Sequence, residues 1–228
     1  MGHTGDVTHP VWPLFDLQVR TPRLELRYVD DELACALALL AAQGVHDPAS
    51  MPFGIPWTDV EPPQQQLNTM QFYWRCRAEL SPSAWNINLA VIVGGEVVGS
   101  TALIAHDFPI LRQFETGSWL GRAHQGRGLG KEMRAASLQL GFAGFGARWA
   151  TTGAWADNGP SLGVTHALGY EPQGSRRSVR RGAGATMLGY EMSRERWQAS
   201  VRRDDIVLDG VEPCLPILGM PEPGLASS

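Results

Sequence analysis

The segment Gln125-Gly126-Arg127-Gly128-Leu129-Gly130 constrains this chain more than any other stretch. Upstream of it, Phe114 to Leu120 reads as a strand. Downstream, Leu129, Met133, Ala136 and Leu140 recur at i, i+4, i+7 and i+11, one face of a helix. The order is therefore strand, glycine loop, helix. Glycines at alternate positions remove the side chains that would keep a ligand off the backbone. The first N–H groups of a helix lack an internal partner and carry the positive end of its dipole. Such a loop is a seat for phosphate oxygens, although the same residues also suit an ordinary strand-to-helix turn.

Two phosphate motifs are excluded by position. A P-loop needs a Gly five residues before the Gly-Lys pair and a Ser or Thr after it; Gln125 and Glu132 occupy those places. The dinucleotide fingerprint needs a third Gly three residues after the second, and Lys131 stands there. What remains is Gln-x-x-Gly-x-Gly, carried by Gln125, Gly128 and Gly130. This resembles the pyrophosphate loop of the GCN5-related N-acyltransferases, the GNAT superfamily, which bind acyl-coenzyme A.

A second motif points the same way. Asn158-Gly159-Pro160-Ser161, followed by Ala167-Leu168-Gly169-Tyr170, resembles the family's Asn-x-x-Ser or Asn-x-x-Ala segment and its Leu-Gly-Phe or Leu-Gly-Tyr. The two motifs and the strands around them cover about Leu24 to Met192. Thr21-Pro22-Arg23-Leu24 and Trp119-Leu120-Gly121 are most similar to the branch that includes ribosomal-protein N-terminal acetyltransferases. Within that branch the chain is similar to a mycobacterial member associated with succinyl-coenzyme A.

The element order agrees with the family's α/β fold, a central mixed and mostly antiparallel sheet flanked by helices. Arg23 to Tyr28 alternates as a half-buried strand. Asp30 is placed to cap a helix carrying Leu33, Ala36, Leu37 and Leu40, ending near Gly44. Pro62-Pro63 opens a second helix expected to bury Leu67, Met70 and Trp74, ending about Leu80. Asn86 to Val93 and Val97 to Ile104 form a hairpin across Gly94-Gly95. Trp149 to Trp155 is a strand, and Ser161 to Leu168 a helix with Pro160 in its first turn. Tyr170 to Arg180 and Thr186 to Ser193 close the sheet around Gly182 and Gly184. Residues 21–200 are read as the acyltransferase domain, 1–20 as an irregular arm touching the core through Trp12 and Phe15, and 201–228 as an appended tail. The aromatic, proline-broken loop from Asp47 to Trp57 is either a flap on its own core or one wall of an acceptor pocket.

Composition bounds the rest. At 228 residues and 43% hydrophobic content, one soluble core is expected. A net charge of −4 argues against bulk nucleic-acid binding, and no apolar run approaches the roughly 20 residues of a membrane span. Met1 to His9 lack the pattern of a signal peptide, and the scattered Cys35, Cys76 and Cys214 suit free thiols, so a cytoplasmic location is expected. His3, His9, His46, His106, His124 and His166 show no metal-ligand spacing, so no metal is expected.

The resemblance implies direct transfer of an acetyl or succinyl group from coenzyme A to a primary amine: a protein N-terminus, a lysine or a small amine. A homo-oligomer is allowed for. The coenzyme would be held by Leu120, Gly121, Arg122, Gln125, Gly126, Arg127, Gly128, Leu129, Gly130, Lys131, Asn158 and Ser161. Free N–H groups of Leu120 and Gly121 would face the thioester carbonyl. Arg122, His124, Arg127, Lys131 and Arg134 form a basic cluster around the phosphate seat. Glu115, in phase with Gly117 and Trp119, is the first candidate base, with Ser118 as a relay through water. Where many members have a proton-donating Tyr, this chain has Thr165, which can offer the leaving sulfur only a hydrogen bond. Arg176, Arg177, Arg180 and Arg181 could meet an acyl carboxylate, an acidic acceptor or only solvent. The rival reading is a non-catalytic acyl-coenzyme A sensor or interaction module with the same fold.

Overall fold

The computed structural model describes residues 9–221. Nine strands form one sheet. In chain order they are β1 (Gln18–Arg20), β2 (Glu25–Tyr28), β3 (Ala84–Val93), β4 (Glu96–His106), β5 (Gln113–Leu120), β6 (Trp149–Trp155), β7 (Glu171–Arg180), β8 (Ala183–Ser193) and β9 (Val207–Asp209). Their spatial order is β7-β8-β6-β5-β4-β3-β2-β1-β9. Every pairing is antiparallel except β5 with β6. A parallel pair needs a crossover, and the helix Leu129–Gln139 with the wide turn Leu140–Gly144 after it provides it between those two strands.

Helices cover both faces. On one lie α1 (Asp31–Ala42) and α2 (Gln64–Ala78), enclosing Val29, Leu33, Leu37, Tyr73, Ala90 and Ile92, with Trp119 packed against them. On the other lie α4 (Leu129–Gln139) and α6 (Arg194–Ser200); the first buries Leu129, Met133, Ala136 and Leu140, the second Trp197. A short α3 (Phe108–Leu111) precedes β5, and α5 (Gly159–Ala167) follows β6. Asp30 caps α1 as its position predicts, its carboxylate accepting from the Leu33 N–H at 2.8 Å. No described helix is long and apolar enough to cross a membrane.

Three expectations are corrected. Helix α2 turns Gln65, Thr69 and Tyr73 inward and leaves Leu67 54% and Trp74 48% exposed. Two stripes competed on this helix. The polar one won because Thr69 satisfies its hydroxyl on the Gln65 carbonyl (2.8 Å), while the Trp74 indole donates outward to Asp31 (3.0 Å). The arm is not irregular throughout: Gln18–Arg20 pairs with β2, and Val19 is fully buried. The tail is not an appendage. Val207–Asp209 pairs with β1, and Cys214 and Leu218 lie in the core. The arm strand pairs with the neighbouring β2, whereas the tail strand pairs with β1, which lies far away in sequence. Residues 1–8, including His3, and residues 222–228 fall outside the described residues.

Candidate active site

The cleft follows from a local failure of pairing. β5 and β6 pair in parallel over Gln113–Glu115 and Trp149–Thr151 only. β6 then follows β8 through Trp155, while β5 follows β4 to Leu120. Where they part, side chains replace ladder bonds: Thr116 Oγ1 donates to the Thr151 carbonyl (3.4 Å) and Thr152 Oγ1 to the Thr116 carbonyl (3.2 Å). The opening is a cleft of about 800 Å³ bordered by the glycine loop, the end of β5, the start of α5 and the loop from Val45 to Phe53.

The loop forms as its glycines require. Gly126 and Gly128 have φ of 74° and 78°, the left-handed region that strains other residues, and Gly128 precedes α4 directly. Gln125 does not reach outward. Its Nε2 donates to the Val45 (2.7 Å) and Leu120 (2.8 Å) carbonyls and staples the loop to the end of β5. Behind the loop, Glu132 is 6% exposed and accepts from Thr21 Oγ1 (2.6 Å) and Arg23 Nε (2.5 Å), while Arg23 also reaches the Arg127 carbonyl (3.2 Å). Burial pushes the Glu132 carboxyl up, but the bonds from Thr21 and Arg23 outweigh it and hold the group below its ordinary value. The segment before β2 is thus strapped onto the loop. Lys131 and Gly130 border the cleft, and Arg122 and Arg127 stand exposed beside the loop. The Leu129 side chain lies in the core, so only its backbone faces the loop.

The thioester end differs from expectation. Gly121 N–H donates to the Val98 carbonyl (2.9 Å), so it is not free. That bond makes Leu120 and Gly99 a pair whose own N–H and C=O groups point away from one another. The Leu120 and Ser118 N–H groups therefore face the side where β6 has parted. Asn158 caps α5, its Oδ1 accepting from the Ser161 N–H (3.2 Å). Both residues border the cleft, and the Asn158 amide N–H groups have no partner among the described residues.

Thr165 is 1% exposed and donates to the Ser161 carbonyl (3.0 Å), so its one proton is committed within α5. Glu115 is exposed near the start of β5 and is not among the residues bordering the cleft. Ser118 does border it, and its Oγ accepts from Arg134 Nη2 (3.2 Å). Arg134 leaves the expected phosphate cluster altogether, because its position on α4 turns it inward beneath β5 and β6. His124 likewise turns toward Glu96, 3.8 Å away. Of the four arginines on the last hairpin, Arg180 forms a two-bond pair with Asp157 (2.7 and 2.6 Å) and Arg181 pairs with Asp59. The Arg180 guanidinium beside Asp157 holds that carboxyl below its ordinary value. Arg176 and Arg177 stand exposed on β7, outside the cleft.

The aromatic loop borders the cleft through Val45 to Phe53. Rings of His46, Phe53, Trp57 and Trp119 contact in succession at 5.6, 5.1 and 5.7 Å between centroids. The hairpin ties the wall down through Arg181 to the Pro48 carbonyl (2.9 Å), and Trp155 donates to the Phe53 carbonyl (3.0 Å). His46 Nδ1 lies 2.8 Å from the Asp47 carbonyl and Nε2 2.6 Å from Thr58 Oγ1. A carbonyl can only accept, so in the neutral ring Nδ1 carries the proton and Nε2 is the basic atom. Sequence reasoning missed that His46 borders the cleft and placed Arg134 in the phosphate cluster, since nothing local marks a lone His in a loop or shows which way an Arg on a helix turns. Among the described residues no cluster of three or more His, Cys, Asp or Glu could hold a metal.

The model of the acetyltransferase (GNAT) domain matches residues 23–171, well over half the chain. The chain belongs to the GNAT acetyltransferase family. Solved structures share this GNAT fold. One is the ribosomal L7/L12 alpha-N-protein acetyltransferase RimL in complex with coenzyme A, with TM-score 0.63 and 18% identity over 76% of this chain and 95% of that one. A GCN5-related N-acetyltransferase from Brucella melitensis gives TM-score 0.63 and 21% identity, covering 80% of each chain. A GNAT-family acetyltransferase from Bacillus anthracis gives 0.59 and 16%, covering 78% of this chain and 99% of that one.

Proposed function

We propose that this protein transfers an acyl group, acetyl or succinyl, from coenzyme A to a primary amine by direct attack. The observation that carries the reading is the parting of β5 from β6 with the glycine loop of α4 at its mouth. The residues fit the coenzyme. Backbone N–H groups of Gly126 to Gly130, with Arg122, Arg127 and Lys131, would hold its phosphates. The Asn158 amide would donate to the amide-bearing arm beside Ser161. The thioester supplies an electrophilic carbonyl and a thiolate leaving group. The Leu120 N–H would stabilise negative charge growing on that carbonyl oxygen. A C–N bond forms as the C–S bond breaks. One ammonium proton passes to His46 Nε2 as the Thr58 hydroxyl turns away from it, the second leaves the C–N adduct for solvent, and the thiolate takes its proton from solvent because Thr165 is committed. The resemblance to RimL makes a protein N-terminus the first acceptor to test, ahead of lysine and small amines.

The test follows thiol release and product mass with acetyl-coenzyme A and a panel of N-terminal peptides and amines. His46→Ala is expected to lower turnover about a hundredfold, and Glu115→Gln to leave it within twofold. The reverse order would return the base to Glu115. The commitment of Thr165 favours a second reading, a coenzyme-binding module without turnover. Binding of coenzyme A with no thiol release for any acceptor would establish it.

A further inference from the structure

Resting on the acyltransferase reading, we infer that Arg134 selects the donor by holding the free carboxylate of a short dicarboxylic acyl group, with succinyl as the type. Arg134 is 5% exposed and borders the cleft from the α4 side, where β5 and β6 separate. Its Nη1 donates to Thr152 Oγ1 on β6 (3.0 Å) and its Nη2 to Ser118 Oγ on β5 (3.2 Å). Its buried Nε has no acceptor. Among the described residues no carboxylate lies within 4.0 Å of it, although ten ion pairs form elsewhere.

A guanidinium stays charged and presents five N–H donors, and two neutral hydroxyls satisfy neither its charge nor its full donor set. A strut between β5 and β6 needs only the two hydroxyl bonds. Nη1 and Nη2 each keep one N–H beyond the hydroxyl bonds, and with the uncompensated charge these call for an anion; Arg134 borders the cleft, while its Nε is closed off from it. Position selects which anion. Ser118 lies two residues before Leu120, about 7 Å along an extended strand. An acetyl methyl held with its carbonyl near Leu120 falls short of Arg134, whereas the carboxylate of a short diacid extends toward it. The other arginine bordering the cleft, Arg180, is already paired with Asp157.

The experiment measures binding of coenzyme A, acetyl-coenzyme A and succinyl-coenzyme A by calorimetry without acceptor, for the wild type, Arg134→Gln and Arg134→Lys. A charge-assisted bond predicts succinyl-coenzyme A bound roughly ten- to a hundredfold more tightly than acetyl-coenzyme A. Arg134→Gln should bring the two affinities together while coenzyme A affinity holds, and Arg134→Lys should keep part of the preference. Equal affinities in the wild type overturn the inference even if both variants fail to fold. A preference that survives Arg134→Gln overturns it too, as does a lowered melting temperature with the ratio unchanged, which marks a strut. If coenzyme A itself does not bind, the acyltransferase reading falls and this inference with it; binding without acyl preference removes this inference alone.

Discussion

The two ends of the cleft are built by different rules. The glycine-loop end is local: Gly126, Gly128 and the first turn of α4 present backbone N–H groups from one short run of chain. The strand end is assembled from Ser118 on β5, Thr152 on β6 and Arg134 on α4, with Trp119 and the aromatic wall on the opposite face of the sheet. The first end lies at the surface, where Arg122, Arg127 and Lys131 stand exposed. The second is buried, so a single unpaired guanidinium there carries more weight than several outside. Under the proposed function, recognition of the coenzyme and choice of the acyl group would therefore be separable.

The sharpest way to break that separation is Gly130→Val. A Cβ there would stand 3.6 Å from Val164 Cγ2, an ordinary contact, and the helical backbone carries no strain. Coenzyme A affinity should fall more than tenfold for every thioester alike, with the melting temperature of the free protein nearly unchanged. Gly128 is a poorer site for this test, because its φ of 78° adds backbone strain to any effect on binding. If Gly130→Val discriminated between acyl groups, the two ends would not be independent.

A smaller effect is expected at the strap behind the loop. Glu132→Gln should cost about 1–2 kcal/mol in unfolding experiments, since half-exposed Arg23 is screened by water. Its pH dependence has a definite sign. The folded carboxyl is held below its ordinary 4.5, so its contribution is complete above about that pH. It is lost as pH falls through the lower folded value. The wild type should lose this increment in acid and Glu132→Gln should not; parallel acid curves for the two proteins would show that the strap contributes nothing.

The smallest effect belongs to Thr165→Val. Its hydroxyl bonds the Ser161 carbonyl rather than the cleft, so turnover should stay within twofold and the acyl preference should not move. A tenfold loss of turnover with unchanged stability would return Thr165 to the leaving sulfur.

The sequence by itself determined what depends on neighbours along the chain. Gly126, Gly128 and Gly130 mark the strand-to-helix loop, Asp30 marks a cap, and the 3.6-residue spacing from Leu129 to Leu140 marks the buried face of α4. Each is a consequence of backbone geometry acting over a few residues, and the family resemblance rests on those same segments. Tertiary structure alone decided the rest. α2 carried two candidate stripes, and packing against α1 and the sheet, with the Trp74 bond to Asp31, selected the polar one. Val207–Asp209 became a strand because β1 offered an unpaired edge. Arg134 looked like one more cation of the phosphate cluster. Only the parting of β5 from β6 placed hydroxyls on two strands within its reach and left its charge facing the cleft. That parting depends on long-range pairing on either side of it, which no local pattern encodes.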